Sequence, residues 1–168
     1  MWLLKWLLTF FFDNKKPSAV VPEDTRIYKF IAKWEGFRAT PYVCDGGVLT
    51  IGYGRTENVS PGDVTTEDAE WDYLCNKCKC IRKEVLGTLA STNYYSTNQL
   101  DAMVSFVYNF GITKFTSSTL LTKIRSGDEE GIKVQWMRWV YAKRKYIKGL
   151  YRRRKAELKL YLTGDYSL

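Results

Sequence analysis

A change of residue period at Gly36 constrains this chain more than any other feature. Upstream, Ile27, Phe30, Ile31 and Trp34 recur at spacings of three and four, the interval at which one helix face collects apolar side chains. Glu35 follows on that face, and Gly36 supplies the positive-φ residue on which many helices end. Downstream, Val48, Thr50 and Tyr53 stand among glycines at 46, 47, 52 and 54, which reads as a short glycine-bounded hairpin. Such a hairpin turns hydroxyls and small polar groups back toward Glu35. The negative end of the helix and the apolar neighbours both disfavour a charge there, so Glu35 is the candidate general acid.

Composition narrows the chemistry. At 168 residues the chain suffices for one domain, or for one divided into two lobes about a cleft. It contains no histidine, which removes imidazole acid-base chemistry and the commonest nitrogen ligand for zinc. Proton transfer then falls to carboxylates, thiols, lysines or tyrosines. That is awkward for a protease or esterase triad and harmless to a glycosidase, which needs only carboxyl groups or their equivalents. A net charge of +8 points to a polyanionic partner, either nucleic acid or a cell wall with its peptide carboxylates and teichoic acids.

Residues 1–12 are strongly apolar but shorter than the ~20 residues a membrane-spanning helix needs. They also make a poor secretory signal, because Lys5 interrupts the run and no Ala-x-Ala site follows. Trp2, Trp6 and Phe10 at intervals of four suggest an amphipathic helix, lying peripherally on a membrane or packed on the protein itself. Residues 13–26, with Pro17 and Pro22, read as a linker.

Beyond the hairpin, Pro61-Gly62 marks a turn, and Thr65 is the expected cap of a long helix through Trp71, Leu74, Cys78, Ile81 and Val85. Cys75, Cys78 and Cys80 do not form the paired clusters of a zinc site, since Cys80 points away from the other two, so neither metal nor cofactor is expected. A disulfide among the four cysteines would block any site built on Cys44 until reduced. A further apolar helix runs from Asn98 to Phe110 and ends at Gly111, and the hydroxyl residues of 116–119 suit the cap of another. Residues 128–142 read as a helix carrying Trp136 and Trp139. The basic run from Lys143 to Lys159 is the candidate contact for anionic polymers, most of it expected on a solvated helix face.

Several of these stretches resemble the bacteriophage lysozymes, or endolysins, of glycoside hydrolase family 24. That family carries Glu-Gly at a helix end, eight residues, Asp or Cys, five residues, then Thr in a Thr-Ile-Gly-Tyr-Gly-like strand. Here Glu35 to Cys44 is nine positions and Cys44 to Thr50 is six, with Pro41-Tyr42 between and Thr50-Ile51-Gly52-Tyr53-Gly54 after. The helix around Gln99-Leu100-Asp101-Ala102 and Ser105-Phe106, followed by Phe115 and Ser118-Thr119-Leu120-Leu121, is similar to the second signature, and Gly149-Leu150 with Arg153-Arg154 and Glu157 to the third. The matches span about residues 27–162. Two positions depart: most members have Asp at Cys44 and His at Arg55.

The resemblance implies an α+β, predominantly helical, lysozyme-like fold: a small N-terminal lobe with an antiparallel hairpin or three-stranded sheet, a long connecting helix, a larger helical C-terminal lobe and a cleft between. The domain would cover 27–168, divided at 27–64, 65–90 and 91–168, after an N-terminal segment of 1–26. The implied activity is a muramidase, cleaving the β-1,4 bond between N-acetylmuramic acid and N-acetylglucosamine. Glu35 would be the acid, Cys44 or its neighbour Asp45 the second group, and Thr50 the hydroxyl that places water. Spacing favours Cys44, although Asp45 is the better base at neutral pH, a free thiol being only a few per cent ionised there. Thr56, Tyr108, Asn109 and Ser118 would line the substrate cleft, and Trp139 would be mainly structural.

Peptidoglycan is the expected partner, met by a monomer at the wall, periplasmic or extracellular, after release from the host cytoplasm. The rivals are a membrane-active cationic protein without hydrolysis and a lytic transglycosylase, which needs one Glu and no second group. Nucleic-acid binding has no motif behind it.

Overall fold

The computed structural model describes residues 24–44, 46–89 and 93–168. The expected amphipathic segment of 1–12, nearly all of the linker, and Asp45 lie outside the described residues. The elements run α1 (Arg26–Glu35), β1 (Arg38–Val43), β2 (Leu49–Gly52), α2 (Glu67–Thr88), α3 (Thr97–Phe110), α4 (Ile112–Thr116), α5 (Thr119–Ser126), α6 (Glu129–Trp136), β3 (Tyr141–Ala142), β4 (Lys145–Tyr146) and α7 (Lys148–Thr163). The architecture is the helical α+β one expected from the sequence, with a two-stranded antiparallel β1–β2 ribbon in its N-terminal part.

Helix α1 forms because its apolar residues share a face: Ile27, Phe30 and Ile31 are at most 2% exposed. Burying each contributes about 1.5–3 kcal/mol. Gly36 ends the helix at φ 68°, its N–H donating to Ala32 O at 2.9 Å, and the chain reverses into β1. In the ribbon Tyr42 stands opposite Thr50 and Val43 opposite Leu49, and a bulge separates this register from the Arg38–Gly52 pair. Ile51 and Arg55 then exchange both backbone hydrogen bonds, at 2.9 Å each, closing a tight turn around Gly52, Tyr53 and Gly54.

The 22 residues of α2 make a rod about 33 Å long at 1.5 Å per residue. Leu74, Cys78, Ile81 and Val85 form its buried stripe, as their spacing predicts, and Trp71 is half-buried. Thr66, not Thr65, caps it, accepting from Ala69 N at 3.3 Å. Thr65 instead donates to Glu70 at 2.9 Å, because Glu70 is buried and needs donors. Helix α3 lies at the centre, buried from Asp101 to Val107 and packed mainly on α7 and α2. One hydrophobic cluster joins Ile27, Phe30 and Ile31 of α1 to Leu74, Phe106, Trp136 and Leu160. The helix that ends in Glu35 is therefore anchored in the helical body, and the ribbon projects from it.

The C-terminal part departs from the sequence expectation twice. Helix α6 stops at Trp136, and Trp139 sits beyond it with its ring 5.1 Å from that of Phe106 and 5.0 Å from that of Phe110. The basic run is not one solvated helix face. It opens with the β3–β4 hairpin, in which Lys143 and Arg144 take positive φ, and within α7 Arg153 and Arg154 are buried. Charge content alone gave no sign of this, since burial here depends on a buried partner, Glu157.

Arg55 follows the last glycine of the turn. It reaches back from the turn to Glu70, with Nη2 at 2.7 Å, and also donates to Glu57 O at 3.0 Å. Gly52 (φ +62°) packs on the same carboxylate, leaving no room for a side chain: a Cβ there would lie 2.2 Å from Glu70 Oε2. Gly52→Ala should therefore cost about 3 kcal/mol or more in chemical denaturation, from left-handed strain and a displaced buried carboxylate. Gly87 in α2 has no atom within 4 Å of such a Cβ, and Gly87→Ala should raise stability by about 0.5 kcal/mol.

Candidate active site

Glu35 is the last residue of α1, and its side chain is 19% exposed. Its two oxygens have different surroundings. Oε1 accepts from Arg153 Nη1 at 2.7 Å. Oε2 faces the turn of the ribbon: a Cβ on Gly54 would lie 3.4 Å from it, and Gly54, at φ +89°, is suited to that close approach. The purely apolar setting expected for Glu35 is thus interrupted by a cation, which α7 delivers from far along the chain.

Arg153 is itself held on its other edges. Nε donates to Glu157 Oε1 at 3.1 Å and Nη2 lies 3.4 Å from Ser105 O. Glu157 is fully buried and also accepts from Ser105 Oγ at 2.7 Å, Arg154 Nη2 at 2.8 Å and Trp136 Nε1 at 3.3 Å. Arg154 lies over the rings of Phe106 and Phe110, and burial pushes its guanidinium down to about 10 despite Glu157. None of Arg153, Glu157, Ser105 or Trp136 was singled out for the site on chemical grounds. The available signal was an Arg pair followed at three and four residues by Glu, the spacing at which helix side chains meet.

The ribbon brings Cys44 and Thr50 together. Backbone N–H groups of Val48 and Gly46, and then the Thr50 hydroxyl, stabilise the Cys44 thiolate and hold its pKa below the ordinary thiol value. The low thiolate population expected for an unperturbed cysteine is thus corrected upward by its loop. Thr50 is 3% exposed, and its hydroxyl also lies 3.0 Å from Val48 O. Cys75, Cys78 and Cys80 lie on α2, with Cys78 in the core, where burial pushes its thiol up, and Cys80 exposed. All four cysteines are reduced thiols.

The expected substrate-lining residues divide. Tyr108 Oη donates to Tyr53 O at 2.7 Å, so it braces α3 against the ribbon turn. Burial, and after it the charge of Glu35, raises its phenol pKa. Asn109 Oδ1 is buried without a hydrogen-bond partner among the described residues. Ser118 caps α5, accepting from Leu121 N at 3.1 Å and donating to Phe115 O at 2.6 Å, so its hydroxyl is already engaged. It borders an open concavity of about 440 Å³ with Lys114, Gln135, Arg138 and Trp139. Thr56 is exposed just past the turn. Alkylation by iodoacetamide, followed peptide by peptide across a pH series, should modify Cys44 with a midpoint below the ~8.5 of a free thiol, while Cys78 stays unmodified in the folded protein.

Comparison with known proteins shows the family to which the chain is related. The family model described as phage lysozyme matches residues 32–157. An endolysin of Acyrthosiphon pisum secondary endosymbiont phage 1 is 37% identical over 140 residues, covering 78% of this chain and 91% of that protein. A SAR-endolysin of Bacteriophage PS119 is 40% identical over 131 residues, covering 77% of each. Among solved structures, an endolysin from Escherichia coli O157:H7 phage FAHEc1 superposes with a TM-score of 0.75 at 27% identity, covering 85% of this chain and 94% of that one. The muramidase domain of SpmX from Asticaccaulis excentricus gives a TM-score of 0.75 at 26% identity, covering 84% and 97%. By its matched length and its relatives, this chain belongs to the phage lysozyme family.

Proposed function

We propose that this peptidoglycan hydrolase is a muramidase whose general acid is Glu35 and whose second group is Cys44, assisted by Thr50. The observation that carries the reading is the asymmetric setting of Glu35: one oxygen is fixed by Arg153, and the other is turned to the ribbon at Gly54. As the bond between the anomeric carbon and the bridging oxygen breaks, Glu35 gives its proton to that oxygen, and Arg153 stabilises the carboxylate left behind. Water adds to the anomeric carbon and yields its proton to the Cys44 thiolate, which leaves the sugar inverted. Direct attack by the thiolate would instead form a glycosyl-enzyme and retain configuration. Spacing favours Cys44 over Asp45, and the lowered pKa of Cys44 answers the objection that a thiol is scarcely ionised near neutral pH.

Asn109, Thr56 and the concavity bordered by Ser118 and Trp139 would contact the glycan and its peptides. The reading has a monomer act on the wall. No helix among the described residues is long and apolar enough to cross a membrane.

In a turbidity assay on purified peptidoglycan, Glu35→Gln should lose about 10²–10⁴-fold in rate, the usual contribution of a positioned general acid. If the activity were membrane disruption, Glu35→Gln would remain active and would release dye from vesicles. A transglycosylase would yield anhydro products one water lighter, readable by mass spectrometry. Cys44→Ser should be strongly impaired, Asp45→Asn should not, and Cys44→Asp, which restores the commoner family residue, should be active. Loss of activity in Asp45→Asn alone would transfer the role to Asp45.

A further inference from the structure

We infer that Glu157 is a positioning residue for the acid: it keeps the Arg153 guanidinium on a single oxygen of Glu35, so that the other oxygen stays available to carry the proton. The inference rests on the assignment of Glu35 as general acid.

An arginine facing a carboxylate tends to pair two N–H groups with two oxygens, either end-on through both Nη atoms or side-on through Nε and one Nη. Arg153 does neither with Glu35. Its Nε is taken by Glu157 Oε1 at 3.1 Å and its Nη2 is turned to Ser105 O at 3.4 Å, which leaves Nη1 alone for Glu35 Oε1 at 2.7 Å. The side-on arrangement needs the Nε–H that Glu157 holds, and the end-on one needs the guanidinium turned away from Glu157 and Ser105 O. Glu35 Oε2 is consequently left facing Gly54. The stronger of the two anchors is Glu157, because its bond is charged at both ends. It is fixed in turn by Ser105 Oγ at 2.7 Å and Arg154 Nη2 at 2.8 Å on the same oxygen, and by Trp136 Nε1 on the other. Without that anchor the guanidinium turns and takes both oxygens of Glu35, and the proton-bearing position is lost.

The test measures kcat and KM on a soluble peptidoglycan fragment, per folded molecule, together with thermal unfolding. Glu157→Gln should lower kcat on the order of tenfold to a hundredfold, the cost of a misplaced reacting group, with KM within about twofold. Asp101→Asn is the control. Asp101 is likewise a buried carboxylate on an ion pair, with Arg82, one helical turn before Ser105. That variant should lose stability and keep kcat.

If Glu157→Gln fails to fold, Arg153→Lys serves instead. It keeps a cation but cannot reach Glu35, Glu157 and Ser105 O together, and it should show the same selective loss of kcat. Wild-type kcat in Glu157→Gln or in Arg153→Lys would overturn the inference and leave Glu157 a purely structural residue. Activity in Glu35→Gln would remove the acid assignment itself and this inference with it, whereas an inactive Glu35→Gln beside a normal Glu157→Gln would defeat the positioning role alone.

Discussion

The guanidinium of Arg153 is the joint on which the molecule depends. It lies between Glu35 at the end of α1 and Glu157 one turn further along α7, with the carbonyl of Ser105 on α3 as a third acceptor. Three helices that are distant in sequence thus converge on one planar cation. Removing a charged group from water costs several kcal/mol, and burying Arg153, Arg154 and Glu157 together is tolerable only because nearly every edge finds a partner. The depressed pKa of Arg154 shows the residual cost, and its Nε and Nη1, without hydrogen-bond partners among the described residues, show where the pairing is incomplete. Replacing a buried ion cluster by well-packed apolar residues is often neutral or stabilising, so the role proposed for this one is to hold Glu35 rather than to add stability.

The ribbon completes the arrangement from the other side. Its turn is held in place by three contacts: Arg55 to Glu70, Gly52 packed on the same carboxylate, and Tyr108 Oη to Tyr53 O. All three reach back to α2 or α3. Gly54 is presented to Glu35 by this bracing, and Thr50 with Cys44 follows further along the ribbon. Arg55 has a clear physical consequence, because an arginine can reach the buried Glu70 bidentately while also taking backbone carbonyls of the turn.

Much of this was legible in the residues. The period of Ile27, Phe30 and Ile31, the break at Gly36 and the stripe Leu74, Cys78, Ile81 and Val85 are short-range signals, and each predicts its element. Cys44 and Thr50 also come together as their spacing in the ribbon suggests. What escaped depends on partners remote in the chain. A sequence shows Arg153 and Arg154 as two more positive charges, and only the fold supplies the Glu157 and Glu35 that draw them inside. For the same reason the sequence marks Thr65 as a cap although it bonds Glu70, and it gives no sign that the Tyr108 and Ser118 hydroxyls serve as a brace and a helix cap. The β3–β4 hairpin was hidden inside a basic run whose charge gives no period.

The oxygen of residue 35 turned to Gly54 should be the one that meets the bond to be cleaved. A crystal structure of the Glu35→Gln protein with a peptidoglycan saccharide spanning the site tests this most directly. The bridging glycosidic oxygen should lie at about 3 Å, hydrogen-bond distance, from the side-chain atom facing Gly54, with the other still on Arg153. A saccharide bound with that bond beyond reach of residue 35, or residue 35 with both atoms on Arg153, would contradict it.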